Sequence, residues 1–268
     1  MTTNDDHDIL QRLAKNYSGS ADAYAEFWSP LIRPVGRRLL ESMPWNLADR
    51  ILDVGTGTGA LVPDIRYFAP AARIVGIDCS LGMLALGARR GVHLAVMDAM
   101  KLGLRTGHFD VAIMVFVLFH LPDPIVALRE MKRVLRPRAA IGVVTWAEDP
   151  EPRAGAIWNE ELDAWGAWDP SPQPRCDESM NTPENLTQLL TTVGFAPGRI
   201  WIERIEHQWE VGRFTGLRTH FGTTKRKLAT LEPGRRAAFL ERMAERMAQL
   251  RVDDLFYHGA AICAVAAA

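Results

Sequence analysis

The nine residues from 51 to 59 constrain this chain most, and they read Ile-Leu-Asp-Val-Gly-Thr-Gly-Thr-Gly. The first four are mainly strand-forming aliphatic residues, and Gly55, Gly57 and Gly59 follow at alternate positions. Glycine permits a tight turn and lets a ligand lie directly against main-chain N–H groups. The pattern therefore predicts a β-strand followed by a ligand-binding turn, as in the first unit of an open α/β sheet.

Two kinds of ligand are compatible with this turn. With Ala60 as its last small residue, the turn fits the dinucleotide fingerprint G-x-G-x-x-G/A, which binds a pyrophosphate. Asp53, two residues before the first glycine, separates the two interpretations. A carboxylate at the strand tip repels a pyrophosphate and attracts a cationic ligand.

Composition narrows the class of protein only broadly. The 268 residues are 48% hydrophobic and 24% charged, with a formal net charge of −1. This suits one globular domain, or a domain with a sizeable elaboration. Charge so close to neutral gives no support for a nucleic-acid or membrane-surface role. We therefore expect a small-molecule partner and a monomer or homodimer.

We also expect a cytoplasmic protein without a metal site. The apolar stretch Val111–Leu121 is too short to span a bilayer, and Met1–Asp8 is polar and acidic, unlike a signal peptide. Cys79, Cys176 and Cys263 are far apart and odd in number, so they indicate neither a disulfide framework nor a zinc site.

Apolar runs alternate with helical segments from Arg50 to Trp146, which is typical of a parallel α/β sheet. One of these runs is almost continuously apolar, as expected of a central strand covered on both faces. Ile125–Leu135 has helical spacing and precedes Pro137, which ends the helix. The predicted strands are Ile51–Val54, Arg73–Asp78, His93–Asp98, Asp110–Phe116 and Ala140–Trp146.

The flanking segments have weaker patterns. Asp22–Met43 is predicted to be helical, with interruptions near Pro30 and Pro34, whereas Glu148–Asn181 has no clear period. The later predicted elements are a helix capped by Thr182 and ending at Gly194, a strand Ile200–Trp209, helices over Thr223–Leu250 broken at Pro233, and a final strand Ala260–Val265.

Acidic residues end the first three predicted strands. Asp78 lies roughly twenty residues beyond the glycine turn, where a carboxylate can accept both hydroxyls of an adenosine ribose. Asp98 closes the third strand, where it can accept from an adenine amino group. Each acid could instead be a helix cap or turn former, but their joint spacing with Asp53 favours one shared ligand site at the carboxyl edge of the sheet.

These motifs resemble class I S-adenosylmethionine-dependent methyltransferases, in particular the ubiquinone/menaquinone-methyltransferase-like group. The resemblance extends over Tyr17–Trp146, with Phe109–Asp123 and Glu130–Pro137, and more loosely over the last seventy-odd residues. Thr182–Phe195 resembles the helix that enters the sixth strand. It implies an α/β fold with a Rossmann-like, seven-stranded, mostly parallel sheet whose last strand is reversed. Helices would cover both faces, with helical N-terminal and C-terminal lid elements. The implied cofactor is S-adenosyl-L-methionine, whose α-ammonium and sulfonium suit Asp53.

The resemblance also implies how the chain is organised. Residues 1–268 would form one methyltransferase domain, with a core over about 45–147, an N-terminal helical lid over 8–44, a substrate-side elaboration over about 148–258 and a final strand over 259–268. Phe214–His258 is predicted to carry two helices, more than the minimal family pattern.

Site residues follow from the same resemblance. The glycine turn and Asp53 would hold the methionine moiety, Asp78 the ribose, and Asp98 the adenine. Tyr17, Tyr24 and Trp28, which we call the lid aromatics, match the aromatic pattern of the family's N-terminal lid. They could equally form an apolar helix face packed on the sheet, and Cys79 could be inert. The implied cofactor set is Asp53, Gly55, Thr56, Gly57, Gly59, Asp78, Cys79, Met83, Asp98, Ala99, Phe116 and Tyr24, and the substrate-side set is Tyr17, Trp28, His120, Trp146 and Trp168.

Methyl transfer from a sulfonium is an in-line displacement with a good leaving group. Orientation alone can lower such a barrier by roughly 7–11 kcal/mol, so no acid/base motif is required. His120, just past the fourth strand, is the one suggestively placed base, although a histidine in such a turn is more often structural.

The region after the core suggests the acceptor only in outline. Its aromatic residues suit an aromatic, quinone-like or natural-product-type molecule methylated on oxygen, nitrogen or carbon, unless they are simply buried. A group of basic residues in this region is expected to form a solvated helix face. A stripe of apolar residues at helical spacing is expected to pack in the core. The tryptophans are Trp158, Trp165, Trp168, Trp201 and Trp209, the basic group is Arg213, Arg218, Lys225, Arg226 and Lys227, and the stripe is Leu240, Met243, Met247 and Leu250.

Two other functions remain open from the sequence. An NAD-dependent oxidoreductase would use the glycine turn and Asp78 in the same way, but it would not need Asp53, and no Tyr-x-x-x-Lys occurs here. A non-catalytic cofactor-binding or regulatory protein on the same scaffold is the second alternative.

Overall fold

Seven strands form one sheet in the order β3-β2-β1-β4-β5-β7-β6. The computed structural model describes residues 3–172 and 179–268, and Cys176 lies outside this described part. Strands β1 to β5 run parallel, and β7 is inserted antiparallel between β5 and β6. The predicted mostly parallel sheet with a reversed last strand is confirmed. The strands are β1 Arg50–Val54, β2 Arg73–Asp78, β3 His93–Val96, β4 Phe109–Val115, β5 Leu135–Glu148, β6 Ala196–Gln208 and β7 Phe256–Ala267.

Helices surround the sheet and connect its parallel strands. Helices α4, α5 and α6 join β1 to β2, β2 to β3 and β4 to β5. Helix α3 packs on β5, β6 and β7, and α8 packs on β6 and β7. The helices are α1 Thr3–Ser18, α2 Ala21–Ala23, α3 Ser29–Glu41, α4 Val62–Phe68, α5 Leu81–Gly87, α6 Pro124–Val134, α7 Arg153–Ala164, α8 Pro183–Thr192, α9 Val211–His220, α10 Gly222–Ala229 and α11 Pro233–Ala248.

The central strands are apolar because both of their faces are covered. Ile51 and Leu52 of β1 and Ile113 and Met114 of β4 have no exposed surface. A strand that is buried on both faces cannot alternate between polar and apolar residues. The apolar runs of β1 and β4 therefore predicted both strands to within one residue at each end.

Helix caps follow local sequence rules. The Thr182 hydroxyl accepts the Asn185 N–H at 3.1 Å, which confirms it as the cap of α8. Asp123 caps α6 by accepting the N–H groups of Ile125 and Val126. These side chains satisfy backbone donors that the first helical turn leaves free.

The N-terminal helical segment differs from the prediction. A π-helical turn, Tyr24–Trp28, leads directly into α3, which continues through Pro34 rather than breaking there. Pro30 has no N–H to give to a preceding carbonyl. The Glu26 carbonyl accepts instead from Arg213 Nη2 of α9, at 2.7 Å. A hydrogen bond from Arg213 thus replaces the one that Pro30, which has no N–H, cannot donate.

Two helices after the core were not predicted. Helix α7 lies in the segment without clear period, and α9 precedes the two predicted helices α10 and α11. The inner face of α7 does repeat at helical spacing, but it includes Glu161, which pairs with Arg242 and Arg246 of α11. A charged residue on a buried face hides the apolar period. The predicted break near Pro233 is confirmed, since α10 ends at Ala229 and Pro233 starts α11.

The expected apolar stripe of α11 packs inward. Met243 and Met247 are buried, and Phe239 beside them contacts Trp158 and Trp165 of the α7 region. In the described part of the chain, no helix is long and apolar enough to cross a membrane.

Candidate functional site

A cleft with about 660 Å³ of empty space opens where β1, β2 and β4 end. This is the edge at which open α/β sheets bind ligands. Ten residues named from the sequence line it together: Gly55, Gly57, Asp78, Cys79, Met83, Ala99, Phe116, Tyr24, Tyr17 and His120. We call it the inner cleft.

The glycine turn needs its first glycine for two reasons. Gly55 has a φ of +72°, and a Cβ built on it would lie 2.1 Å from Cγ2 of Val117. Gly57 has a φ of +56°, and a Cβ there would lie 3.2 Å from Cε of Met83. A side chain at position 55 would therefore be both strained and blocked.

Four N–H groups of this turn are used within the protein, contrary to the sequence-based expectation that the turn offers them to a ligand. Gly55 and Thr56 donate to the Ile77 carbonyl at 2.8 and 2.9 Å, and Gly59 donates to the Thr56 carbonyl. Gly57 donates to Asp78 Oδ2 at 3.0 Å. A phosphate-binding turn requires free N–H groups. Their use within the protein disfavours a pyrophosphate and agrees with a cationic ligand.

Asp53 places a buried carboxylate beneath this turn. Its side chain is 2% exposed, and Oδ2 accepts the Thr56 hydroxyl at 2.7 Å. Burial raises the pKa of Asp53 to about 6; the charge of Asp78 also raises it, while the Thr56 hydrogen bond opposes the shift. Asp53 and Thr56 line a narrow cleft that adjoins the inner cleft at Tyr24 and Gly55. A cationic group bound nearby would stabilise the ionised form.

Asp78 is fixed at the end of β2 by two backbone donors. Its Oδ2 accepts from Gly57 and its Oδ1 from Ser80, at 3.0 and 2.8 Å. Burial raises the pKa of Asp78, and these two hydrogen bonds oppose the rise. Each carboxylate oxygen can accept more than one hydrogen bond. The oriented carboxylate therefore fits the two hydroxyls of a ribose.

Four predicted cofactor residues do not line the inner cleft: Asp53 and Thr56, which line the adjoining narrow cleft, and Gly59 and Asp98. Asp98 accepts the Met100 N–H at 2.7 Å, and its neighbours Met97 and Ala99 line the cleft instead. Gly59 faces α5, where its built Cβ would lie 3.6 Å from Cα of Gly87. Asp98 and Gly59 thus have local structural roles, in a turn and in helix packing.

Burial makes Cys79 a poor nucleophile. Burial and the neighbouring charge of Asp78 raise the pKa of its thiol to about 12, so it stays protonated. Cys79 and Cys263 are both free. No group of three or more metal-ligating side chains occurs within residues 3–172 and 179–268.

Helix α1 and the lid aromatics cover the inner cleft. Tyr17 Oη lies 2.9 Å from His120 Nε2, and the Tyr17 ring contacts the rings of Tyr24 and Phe221. Burial, with the charges of Tyr17, Asp78 and Asp53, raises the pKa of Tyr24, so its hydroxyl stays neutral.

Several lining residues were missed in the sequence. Leu10 and Leu13 of α1 line the inner cleft beside Tyr17, at the i, i+3, i+7 spacing of a helix face. That spacing could have shown a helix in the first part of the predicted lid, where the sequence analysis predicted a helix only from Asp22 onward. Phe221 had no local signal, because only the packing of α9 and α10 brings it to the lid.

A second cavity, which we call the aromatic cavity, lies beyond Tyr17 and His120. These two residues line both the aromatic cavity and the inner cleft. Its aromatic wall includes Trp28 and Trp146, whose ring centroids are 6.2 Å apart. Phe116, with a φ of +56°, places its ring 4.5 Å from that of Trp146. The inner cleft and the aromatic cavity therefore meet at these residues.

Trp168 is not part of this wall. It is 61% exposed and lines none of the five described cavities. Its backbone N–H donates to Thr230 at 3.4 Å. The expected substrate-side role of Trp168 thus finds no support in its position.

Residues 52–143 match the family model described as "Methyltransferase domain". The demethylmenaquinone methyltransferase of Corynebacterium kroppenstedtii is 31% identical over 132 residues, which cover 49% of this chain and 56% of that protein. The malonyl-acyl-carrier-protein O-methyltransferase of a Marinomonas species is 28% identical over 156 residues, covering 55% of this chain and 56% of that protein. The chain thus spans little more than half the length of these curated relatives.

Solved structures share the fold over most of the chain. The (4+2)-cyclase SpnF superposes with a TM-score of 0.60 at 21% identity, covering 96% of each chain. A phosphoethanolamine N-methyltransferase of Haemonchus contortus, solved with S-adenosylhomocysteine, has a TM-score of 0.54 at 17% identity over 97% of this chain and 59% of that one. Together with the sheet order, these findings show the fold of the class I S-adenosylmethionine-dependent methyltransferases, with a match to the methyltransferase domain over residues 52–143.

Proposed function

We propose that the protein transfers a methyl group from S-adenosylmethionine to a small-molecule acceptor. The observation that carries the proposal is the direct connection between two cavities. Asp78 lines the inner cleft beside the glycine turn, and Asp53 lies in the narrow cleft that adjoins it. Tyr17 and His120 connect the inner cleft to the aromatic cavity. One cavity thus suits the methyl donor and the other the acceptor.

The inner cleft suits each part of the cofactor. Asp78 would accept the ribose hydroxyls, and Met83, Met97 and Ala99 would line the adenine. Asp53 lies near the position of the α-ammonium, where opposite charge favours its ionised form. When bound, the cofactor supplies an electrophilic methyl group on a sulfonium.

The protein's own contribution to the reaction would be orientation. Phe116 and Trp146 would position a planar acceptor at the junction of the two cavities. Helix α1 and Phe221 would exclude water, which keeps the acceptor in line with the methyl group. His120, hydrogen bonded to Tyr17, could accept a proton from an acceptor hydroxyl.

The acceptor proposed here has a planar ring. Trp28, Trp146 and Phe221 line the second cavity, and aromatic walls favour flat apolar groups. The relatives' names refer to demethylmenaquinone and to malonyl-acyl-carrier protein. The first name supports a ring acceptor. We further propose that no nucleic acid takes part and that the protein works as a monomer or homodimer.

Calorimetry and methyl-transfer assays test the proposal. The protein should bind S-adenosylhomocysteine and not NAD, and it should transfer radiolabelled methyl groups to members of a panel of hydroxylated aromatic and quinol compounds. Tight NAD binding without binding of S-adenosylhomocysteine would refute the cofactor assignment. Binding of S-adenosylhomocysteine without transfer to any panel member would support a non-catalytic protein.

A further inference from the structure

The aromatic cavity continues outward into a larger cavity with about 1290 Å³ of empty space, which we call the outer cavity. Trp28 and Phe221 line both. The floor of the outer cavity includes the buried rings of Trp209 and Phe214. Its walls come from α7, α9, α10 and the segment after β5, and they carry charged side chains.

Three basic side chains of this region are more buried than the sequence predicts. Arg218, Arg226 and Lys227 are 13%, 16% and 19% exposed, so the expected solvated basic face is wrong for them. Arg226 forms a two-point ion pair with Asp169, which is similarly buried. Arg226 lines the aromatic cavity and not the outer cavity, so among the described residues Arg218 and Lys227 are the cations that line the outer cavity.

The ion pairs of these two cations have a common orientation. Arg218 pairs with Glu151 at 2.6 Å, and Lys227 pairs with Asp163 at 2.5 Å. The acids are 42% and 61% exposed, far more than their basic partners. In each ion pair the cation thus lies on the buried side and the acid on the solvent side. Water can solvate the exposed acids once a ligand oxyanion takes their place, so the exchange leaves neither buried cation without a counter-charge.

Arg218 has hydrogen-bonding capacity left. Its Nη2 donates to Glu151, while its buried Nε has no acceptor within the described part of the chain. A guanidinium pairs best with an oxyanion through two parallel N–H groups. A buried donor without an acceptor is costly, and a ligand oxygen could remove that cost.

We propose that the outer cavity binds an oxyanion, a carboxylate or a phosphate, carried by the end of the acceptor remote from the methylated atom. The inference rests on the proposed methyl transfer. Asp149 lines both cavities, with its carboxylate accepting the Tyr257 hydroxyl at 2.7 Å. Negative charge therefore lies at the neck, and the anion binds beyond it, at Arg218 and Lys227. The acceptor is an extended molecule with a ring at one end and an anionic group at the other.

The same arrangement disfavours a long isoprenoid chain in the outer cavity. Such a chain would remove water from the two ion pairs without replacing its hydrogen bonds, which is unfavourable. A quinol with a long apolar side chain would therefore be a poor acceptor, although its ring would suit the aromatic cavity.

Matched acceptors and variants test the oxyanion site. Binding would be measured by calorimetry in the presence of S-adenosylhomocysteine, using hydroxyphenyl-alkanoic acids of several chain lengths, their primary amides, their phosphate analogues and a prenylated naphthoquinol. Arg218→Gln and Lys227→Gln remove the proposed cations. Arg153→Gln is the control, since Arg153 is 55% exposed and lines no described cavity.

We expect the acids or the phosphates to bind at least about tenfold more tightly than the amides. Each cation-removing variant should abolish this preference while leaving amide binding and S-adenosylhomocysteine affinity unchanged, and the Arg153 variant should retain it. The better of the two anion series identifies the oxyanion. Equal binding of acids and amides, a preference for the naphthoquinol, or no saturable binding of any anion would overturn the inference. If the unsubstituted protein does not bind S-adenosylhomocysteine, that result would instead contradict the proposed function.

Discussion

Gly55 is the position where a single added carbon is expected to cost most. Its Cβ would meet Val117 at 2.1 Å in a left-handed conformation. Gly107 has a similar φ of +61° but open space around a built Cβ, so it is a matched control. Gly107→Ala should cost only the backbone strain, about 1–2 kcal/mol.

We predict that Gly55→Ala costs about 1–3 kcal/mol more than Gly107→Ala, because the core must also accommodate the clash. It should also weaken S-adenosylhomocysteine binding, since the turn lines the inner cleft. Urea unfolding and calorimetry measure the two effects. Equal stability losses at both positions would show that Val117 yields without cost.

Asp53 is predicted to lower the stability of the protein without cofactor at neutral pH. Its pKa is about 6 in the folded protein against an ordinary 3.8, so the folded state binds the proton more tightly than the unfolded chain does. The contribution of Asp53 to the free energy of unfolding therefore falls as pH rises from about 4 to about 6, and it stays low above pH 6. The full difference corresponds to about 3 kcal/mol.

Asp53→Asn should accordingly stabilise the cofactor-free protein by about 1–3 kcal/mol at pH 7.5. The gain should shrink below pH 6 and vanish near pH 4. The same variant should bind S-adenosylmethionine more weakly, because it lacks the negative charge. Urea unfolding at several pH values checks the first result, with the exposed Asp49→Asn as a control. A gain independent of pH would contradict this account.

Asp78 and Asp98 are expected to differ in their effect on cofactor binding. Asp78 lines the inner cleft, whereas Asp98 is bonded to the Met100 N–H and does not line it. Asp78→Ala should weaken S-adenosylhomocysteine binding by about 1.5–3 kcal/mol for each lost charge-assisted hydrogen bond. Asp98→Ala should weaken S-adenosylhomocysteine binding by less. Similar losses in calorimetry would place Asp98 in direct contact with the ligand.

At the scale of elements, the lid is held closed by contacts that are distant in sequence. Arg213 donates to the Glu26 carbonyl at 2.7 Å, and Lys225 donates to the Gly19 carbonyl and to the Ser20 hydroxyl. Helices α9 and α10 thus bind the backbone of the segment that carries Tyr17, Tyr24 and Trp28. The late elaboration and the early lid behave as one cover.

We predict that Arg213→Met with Lys225→Met loosens this cover. Hydrogen exchange in residues 9–28 should quicken, and S-adenosylhomocysteine should dissociate several times faster, because segments with fewer contacts open more often. Arg153→Met, which removes an exposed ion pair with Glu160, is the control. Unchanged exchange and dissociation in the double variant would show that packing alone holds the lid.

At the scale of the whole molecule, one apolar core joins all regions. Leu10 of α1, Leu52 of β1 and Phe239 of α11 belong to the same cluster of buried residues. Buried Asp64 of α4 adds a polar link by pairing with Arg33 and Arg37 of α3. The lid and the elaboration therefore share the core of the sheet.

We predict that the protein unfolds in a single cooperative transition. Circular dichroism and tryptophan fluorescence should give the same midpoint, and the calorimetric and van't Hoff enthalpies should agree. S-adenosylhomocysteine should move the whole transition to higher temperature. Two transitions, with only one of them moved by the ligand, would show separate units.

The sequence alone determined the sheet and the cofactor end of the site. Periodicity and glycine spacing are local properties, so β2 was predicted with its observed bounds, and the glycine turn and Asp78 lie together at the inner cleft. Helix caps such as Thr182 are equally local. Parallel strands then bring the motifs together, because their carboxyl ends meet at one edge.

Only the tertiary structure decided the acceptor side. Helix α7 was hidden by buried Glu161, whose partners lie on α11. Phe221 contacts Tyr17 across about two hundred residues of chain, and Arg218 becomes buried only when α9 packs. The sequence also led us to expect that the N–H groups of the glycine turn face a ligand, whereas the fold uses four of them internally. Such contacts depend on how distant elements pack, and no local pattern encodes them.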